Sequence, residues 1–174
     1  MFLQEFLEKS SSLLHLEMIN CEISKPAFLN IAYGLESNHH LKIINLSKNK
    51  FPIKGVDDAL AYSFARSKLV EVIMCECDIK DECGEVLLAK LCMSKLITKI
   101  DMSKNALGSQ TSAILCEALK VKCYNLVSLN ISQNFIKYDH IKEIEDYIDR
   151  NVFMEKSQIR EEYKKFKEIR FNEG

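Results

Sequence analysis

Residues 97–107 read ITKIDMSKNAL and residues 126–136 read LVSLNISQNFI. Aligned from their first residues, both place an aliphatic side chain or methionine at positions one, four and six, asparagine at nine and an aliphatic residue at eleven. The same template recurs upstream as LLHLEMINCEI at 13–23, LKIINLSKNKF at 41–51 and LVEVIMCECDI at 69–79, with Phe51 in the eleventh place and cysteine in the ninth place of two copies. The segments start at 13, 41, 69, 97 and 126, so the spacings are 28, 28, 28 and 29. Five positions held in register over five copies mark an internal repeat, which outranks local propensity in deciding a fold.

Each position has a physical reason. Positions four and six alternate with polar neighbours, as a strand with one buried face requires. The strands are therefore expected to centre on Leu16, Ile44, Val72, Ile100 and Leu129, with Leu46, Met74, Met102 and Ile131 in one buried stack. Position nine holds Cys21, Asn49, Cys77, Asn105 and Asn134. A small polar side chain there can bond the backbone of the turn, and stacked copies satisfy amides that would otherwise be buried unpaired. The remaining half of each repeat has helical spacing. Val86, Leu87 and Leu91 show it, as do Ala113, Leu115, Cys116 and Leu119, and Ile141, Ile144 and Ile148. Gly55 and Gly84 fall near helix starts, and Pro26 suits the first turn of the first helix.

Five strand-turn-helix units imply an α/β solenoid with a parallel concave sheet and convex helices. On these residues, and most closely from Asp78 through Ser132 with LGSQTSAILCEAL at 107–119, the chain resembles the ribonuclease-inhibitor-like subfamily of leucine-rich repeats. The resemblance covers about residues 1–151 and implies the horseshoe form of that subfamily. It also implies protein binding as the mode of action, in one of three settings: an adaptor, the sensing region of a NOD-like receptor, or a regulator of a small GTPase or ribonuclease. The Ran GTPase activator that the repeats resemble has a longer solenoid followed by an acidic tail, which this sequence does not carry.

Outside the repeats, 1–12 reads as a capping or partial-repeat helix, with Phe2, Leu3, Phe6 and Leu7 on one face. Residues 13–151 are the five repeats. Residues 152–174 read as a charged helix or tail, in which Ile159, Tyr163, Phe166 and Ile169 share a face.

Composition narrows the function classes. A formal net charge of −1 offers no general attraction to nucleic acid or to an anionic membrane. No apolar run reaches the length of a membrane span, and Glu5 and Glu8 interrupt the apolar pattern that a secretory leader needs. Seven cysteines, an odd number, suit buried free thiols in a reducing compartment, so a cytoplasmic location is expected. Cys75, Cys77, Cys83 and Cys92 invite a metal reading, but their places in the repeat explain them, and no cofactor is expected. There is no G-x-S-x-G motif, phosphate-binding loop or dinucleotide fingerprint. The acidic pairs Asp57-Asp58 and Glu161-Glu162 fall on helices, where solvated faces account for them, and His39-His40 falls in a loop.

The expected working surface is the concave one. The strand period aims positions three, five and seven outward. Position three reads His15, Ile43, Glu71, Lys99, Ser128; position five reads Glu17, Asn45, Ile73, Asp101, Asn130; position seven reads Ile19, Ser47, Cys75, Ser103, Ser132. Ile19, Ile43, Ile73 and Cys75 form a candidate apolar patch for a protein partner, with Glu17, Glu71, Lys99 and Asp101 as its polar rim. The stripe around Tyr163 and Phe166 is a second candidate. The chain is thus expected to be a non-enzymatic subunit of a larger intracellular assembly, cytoskeletal or ciliary, with one or more protein partners.

Overall fold

The computed structural model describes residues 2–52, 55–121 and 123–172, the side chains of 160 and 162–172 excepted. Eleven elements alternate along the chain: α1 (Phe2–Lys9), β1 (His15–Glu17), α2 (Lys25–Ser37), β2 (Ile43–Asn45), α3 (Asp57–Arg66), β3 (Glu71–Ile73), α4 (Asp81–Leu91), β4 (Lys99–Asp101), α5 (Ser109–Val121), β5 (Ser128–Asn130) and α6 (Tyr138–Asn172). The five strands form one parallel sheet in the order β1-β2-β3-β4-β5. Its register is a one-repeat translation: Leu16 faces Ile44, Ile44 faces Val72, Val72 faces Ile100 and Ile100 faces Leu129. All five expected strand centres are strand centres.

The core lies between this sheet and the helices. Leu46, Met74 and Met102 are fully buried, as are Ile44 and Val72. The stack thins at its ends, where Leu16, Leu129 and Ile131 are only half-buried because no repeat covers them on one side. On the helical side Phe28, Ile31, Leu60, Phe64, Leu87, Leu115 and Leu119 close the layer. Ala113, expected on the buried face of α5, is exposed, and Thr111 and Ser112 are buried in its place. Their hydroxyls have polar partners on both neighbouring helices: Thr111 bonds Asp81, and Ser112 lies 2.6 Å from His140 Nδ1. Those bonds, absent from any apolar pattern, set the rotation of α5.

The turn after each strand uses a left-handed residue. The eighth position has positive φ in every repeat, at Asn20, Lys48, Glu76, Lys104 and Gln133, a conformation that costs an L-residue about 1–2 kcal/mol. The ninth position offsets that cost. Asn105 Oδ1 accepts from the Cys77 and Ile79 amides, and its Nδ2 donates to the Met74, Met102 and Ser103 carbonyls. Asn49 does the same one pair of repeats earlier, clamping the Cys21 and Ile23 amides and the Met18 carbonyl. Asn134 takes only the Leu107 amide and is half-buried. The ladder therefore reaches backward: each asparagine satisfies the turn of the repeat before it. Cys77 manages one backward bond, from its thiol to the Leu46 carbonyl at 3.4 Å.

A second ladder, unforeseen from the sequence, runs along the turns that lead from helix to strand. Asn38 is buried; it donates to the Leu7 and Ser10 carbonyls and accepts from the His40 and Leu41 amides. Ser94 accepts from the Leu96 and Ile97 amides. Asn151 donates to the Cys123 and Leu126 carbonyls. At Asn151 the chain does not turn into a sixth strand. The helix of the fifth repeat continues, so the charged helix expected within 152–174 and the one holding Ile141, Ile144 and Ile148 are a single element, α6. Arg150 fastens it: its guanidinium bonds the Leu119 carbonyl in the last turn of α5 and lies over the Tyr124 and Tyr147 rings at 5.2 and 4.9 Å. A cation is favourable at that helix end.

At the other end α1 packs on α2 through Leu7, against which a side chain at Gly34 would come within 2.7 Å. Phe2 and Phe6 face solvent. Between repeats three and four the helices are tied by Asp81, which accepts from the Gly108 amide at 2.6 Å and from the Thr111 amide and hydroxyl at 3.1 and 2.5 Å. Burial raises its pKa, but the Thr111 hydroxyl and the Gly108, Thr111 and Gln110 amides outweigh that and hold the carboxyl below its ordinary range.

Three outcomes are expected. Met74→Ala should lower unfolding free energy in a urea titration by about 2 to 5 kcal/mol. Asn105→Leu should cost about 1 to 3 kcal/mol for each buried backbone group it leaves unpaired. Asp81→Asn should destabilise at neutral pH by about 1 kcal/mol, because the amide keeps an acceptor oxygen but loses the charge that strengthens its bonds at the start of α5. Because the folded pKa of Asp81 is depressed, its stabilisation is present above the ordinary value of 3.8 and is lost as pH falls toward the folded value. Urea titrations of wild type and Asp81→Asn should therefore converge as pH is lowered through that range.

Candidate functional site

The concave face is built by positions three and five of the strands, and the register fixes who neighbours whom. Ile43 stands opposite Glu71, and Ile73 opposite both Asn45 and Asp101. Ile43 and Ile73 are therefore diagonal neighbours on adjacent strands, both half-buried, at a separation long apolar side chains can bridge. Cys75 follows Ile73 along the same strand direction and is half-buried. Ile19 is 42% exposed, but it lies in the row of Ser47, four residues along from the row of Ile43, which is roughly 13 Å in extended chain. The register thus makes neighbours of Ile43 and Ile73, sets Cys75 two residues beyond Ile73 in the row of Ser47, and leaves Ile19 apart from Ile43.

The seventh row departs from expectation. Ser47 and Ser103 are buried, not open to solvent. The strands are only three residues long, so position seven already belongs to the turn. Its backbone amide is captured by the fifth-position side chain two residues earlier: Ser47 N–H by Asn45 Oδ1, Ser103 N–H by Asp101 Oδ1, Ser132 N–H by Asn130 Oδ1. This is the Asx-turn habit of those residue types. Ser47 Oγ then accepts from the Cys75 amide, and Ser103 Oγ donates to Asp101 Oδ1 and toward Cys75 Sγ.

Two carboxylates of the polar rim have partners within the chain. Lys99 Nζ is 3.8 Å from Glu71 on the adjacent strand, and His15 is 3.2 Å from Glu17. Both oxygens of Asp101 are engaged, the second by Asn130 Nδ2. The side chains of Tyr163 and Phe166 lie outside the described residues.

Cys77 and Cys116 are pushed up to about 11, chiefly by burial. Cys92 is pushed well above the thiol range by its hydrogen bond with Cys123 and by burial. Such thiols are poor nucleophiles and poor ligands at neutral pH. Among the described residues no group of three or more His, Cys, Asp and Glu side chains gathers to hold a metal, and no helix is long and apolar enough to cross a membrane. The Ser112–His140 pair sits between α5 and α6 with Ser112 fully buried, so it ties helices together.

No family model matches the chain. Among curated proteins it is similar to mouse NACHT, LRR and PYD domains-containing protein 4E, 26% identical over 145 residues that cover 83% of this chain and 15% of that protein. Human NACHT, LRR and PYD domains-containing protein 13 is 26% identical over 129 residues, 74% of this chain and 12% of that one. Mouse NACHT, LRR and PYD domains-containing protein 5 is 29% identical over 136 residues, 72% and 12%. The chain thus spans 15% or less of the length of these three relatives. Among solved structures, leiomodin-1 actin-binding site 2 superposes with a TM-score of 0.81 at 15% identity, covering 94% of this chain and 95% of that one. The tropomodulin C-terminal domain of Caenorhabditis elegans superposes at 0.77 and 16% identity, covering 92% and 96%. At these identities the structural likeness is one of fold. Sequence and shape, compared separately, arrive at the repeat that the spacing announces: the chain has the fold of a leucine-rich-repeat solenoid and is similar to LRR-containing proteins.

Proposed function

We propose that the chain is a non-enzymatic binding module whose concave face, centred on Ile43 and Ile73, recruits a protein partner within a larger cytoplasmic assembly, cytoskeletal in the first instance. The observation that carries this reading is the diagonal pair itself. Two isoleucines project from a sheet whose other outward side chains are polar, and neither completes the core beneath. A preformed solenoid presents such a face at little ordering cost. The whole-chain likeness to leiomodin-1 actin-binding site 2 supports a cytoskeletal partner, and the long α6 adds a second surface beside the sheet. A ciliary assembly is a narrower version of the same reading. Nucleic acid and membrane are not partners in it, since the charge is balanced.

A second setting, the sensing region of a NOD-like receptor, is favoured by the relatives, which are NACHT- and LRR-containing proteins. It requires a nucleotide-binding domain upstream of these repeats in the full gene, and the genomic reading frame tests it directly.

The Ile43→Ser/Ile73→Ser variant discriminates. It should keep its melting temperature to within about 3 °C, because both side chains sit outside the core stack. It should bind filamentous actin about 5- to 100-fold more weakly than wild type in co-sedimentation, the range of moderate interface residues. A variant that unfolds readily would place these residues in the core. A stable variant with full binding would move the contact to another surface, α6 first.

A further inference from the structure

We propose that the outer edge of β5 takes up an extended, basic segment of a partner protein as a sixth parallel strand. This site is separate from the concave face. The backbone bonds between strands recur with the period of the repeat. The carbonyl just before each strand accepts two amides from the next repeat: Leu14 from Lys42 and Ile43, Lys42 from Val70 and Glu71, Val70 from Thr98 and Lys99, Thr98 from Val127 and Ser128. The amide just after each strand donates to the next repeat: Met18 to Asn45, Leu46 to Ile73, Met74 to Asp101, Met102 to Asn130. Two residues on, Asn20 donates to Ser47, Lys48 to Cys75, Glu76 to Ser103 and Lys104 to Ser132. Continued by one repeat, the series ends on the Val127 carbonyl and the Ile131 and Gln133 amides. Among the described residues no partner meets these three groups, and the sheet stops at β5. An edge of this kind is a template for another chain.

The same translation specifies the occupant. It is six residues long and runs parallel to β5. Its first two amides meet Val127, its fourth carbonyl meets Ile131 and its sixth meets Gln133. Its third and fifth side chains point where the next repeat's core residues would lie. A groove of about 640 Å³ occupies that place, lined by Leu129, Ile131, Ile144 and Ile148. Two apolar side chains therefore belong at the third and fifth places. The charge follows from α6, whose Glu145 and Asp149, one turn apart and exposed, also line the groove. Among the described residues no cation is bonded to either, so a segment flanked by lysine or arginine complements the wall.

The probe is a synthetic peptide carrying residues 127–132 of this chain, VSLNIS, with a lysine added at each end, and amide exchange is read residue by residue. The expected result is exchange slowed about tenfold at Ile131 and Gln133, with no slowing by a control peptide whose leucine and isoleucine are both serine. Glu145→Lys/Asp149→Lys, on an exposed helix face and neutral for folding, should weaken the peptide about fivefold. The Ile43→Ser/Ile73→Ser protein should bind it unchanged, which separates this site from the concave one. Three results overturn the proposal: no slowing with peptide up to about 1 mM, slowing confined to the concave strands, or full affinity for the charge-reversed protein. Protection of the same amides without peptide, rising with protein concentration, also overturns it, because a second copy of the chain is then the occupant.

Discussion

The structure depends on one interaction: a buried side-chain amide that satisfies the turn of the preceding repeat. A solenoid of three-residue strands has little sheet to hold it, and every repeat bends through a left-handed residue at its eighth position. Asn49 and Asn105 each gather two amides and a carbonyl from the repeat before, together with carbonyls of their own turn. The cost of the turn is thereby set against bonds that exist only when two repeats are stacked. Local geometry and long-range packing are the same event here, the nearest-neighbour coupling on which a repeat array relies.

That coupling orders the rest. Because the turns are held in translation, the side chains between them repeat in translation too, and the core becomes one layered stack from Leu7 to Ile144. The concave rows inherit the same order, so two substitutions of isoleucine for polar residues, at 43 and 73, are enough to create a local apolar feature. The ends are where translation stops. Asn38 and Asn151 secure the first and last helix-to-strand turns, and Arg150 holds α6, the helix of the fifth repeat, against α5.

Strand positions were legible because an alternation of Leu, Ile, Val and Met survives in all five copies. The asparagine ladder was legible for the same reason. The Asn38, Ser94 and Asn151 turns escaped because the residues there share a role and not a chemical type, so no pattern in the letters joins them. Ala113 was misplaced on α5 because an apolar periodicity cannot see that Thr111 and Ser112 have partners on α4 and α6. In the candidate site, the third and fifth rows followed from strand period alone. The seventh did not: a period-two reading cannot tell where a strand ends, and an Asx turn had already folded Ser47 and Ser103 inward. Ile19 was grouped with Ile43 by chemical likeness, while the register separates them along the sheet.

The two ninth-position residues have turns of different shape. Where cysteine stands, at Cys21 and Cys77, the tenth residue is left-handed as well, at Glu22 and Asp78; where asparagine stands it is not. The doubly bent turn aims two amides at the asparagine of the next repeat, while the singly bent turn of repeat two meets a cysteine and uses a backbone bond, Phe51 N–H to the Cys77 carbonyl. Both doubly bent turns are thus followed by an asparagine, whereas a singly bent turn precedes cysteine at repeat two and asparagine at repeat four. Deleting a single repeat, for instance the second, would set one doubly bent turn before another cysteine and strand its two amides. Loss of a single repeat is therefore tolerated only where an asparagine still follows each doubly bent turn, as Asn134 would follow the turn at Cys77 if the fourth repeat were removed.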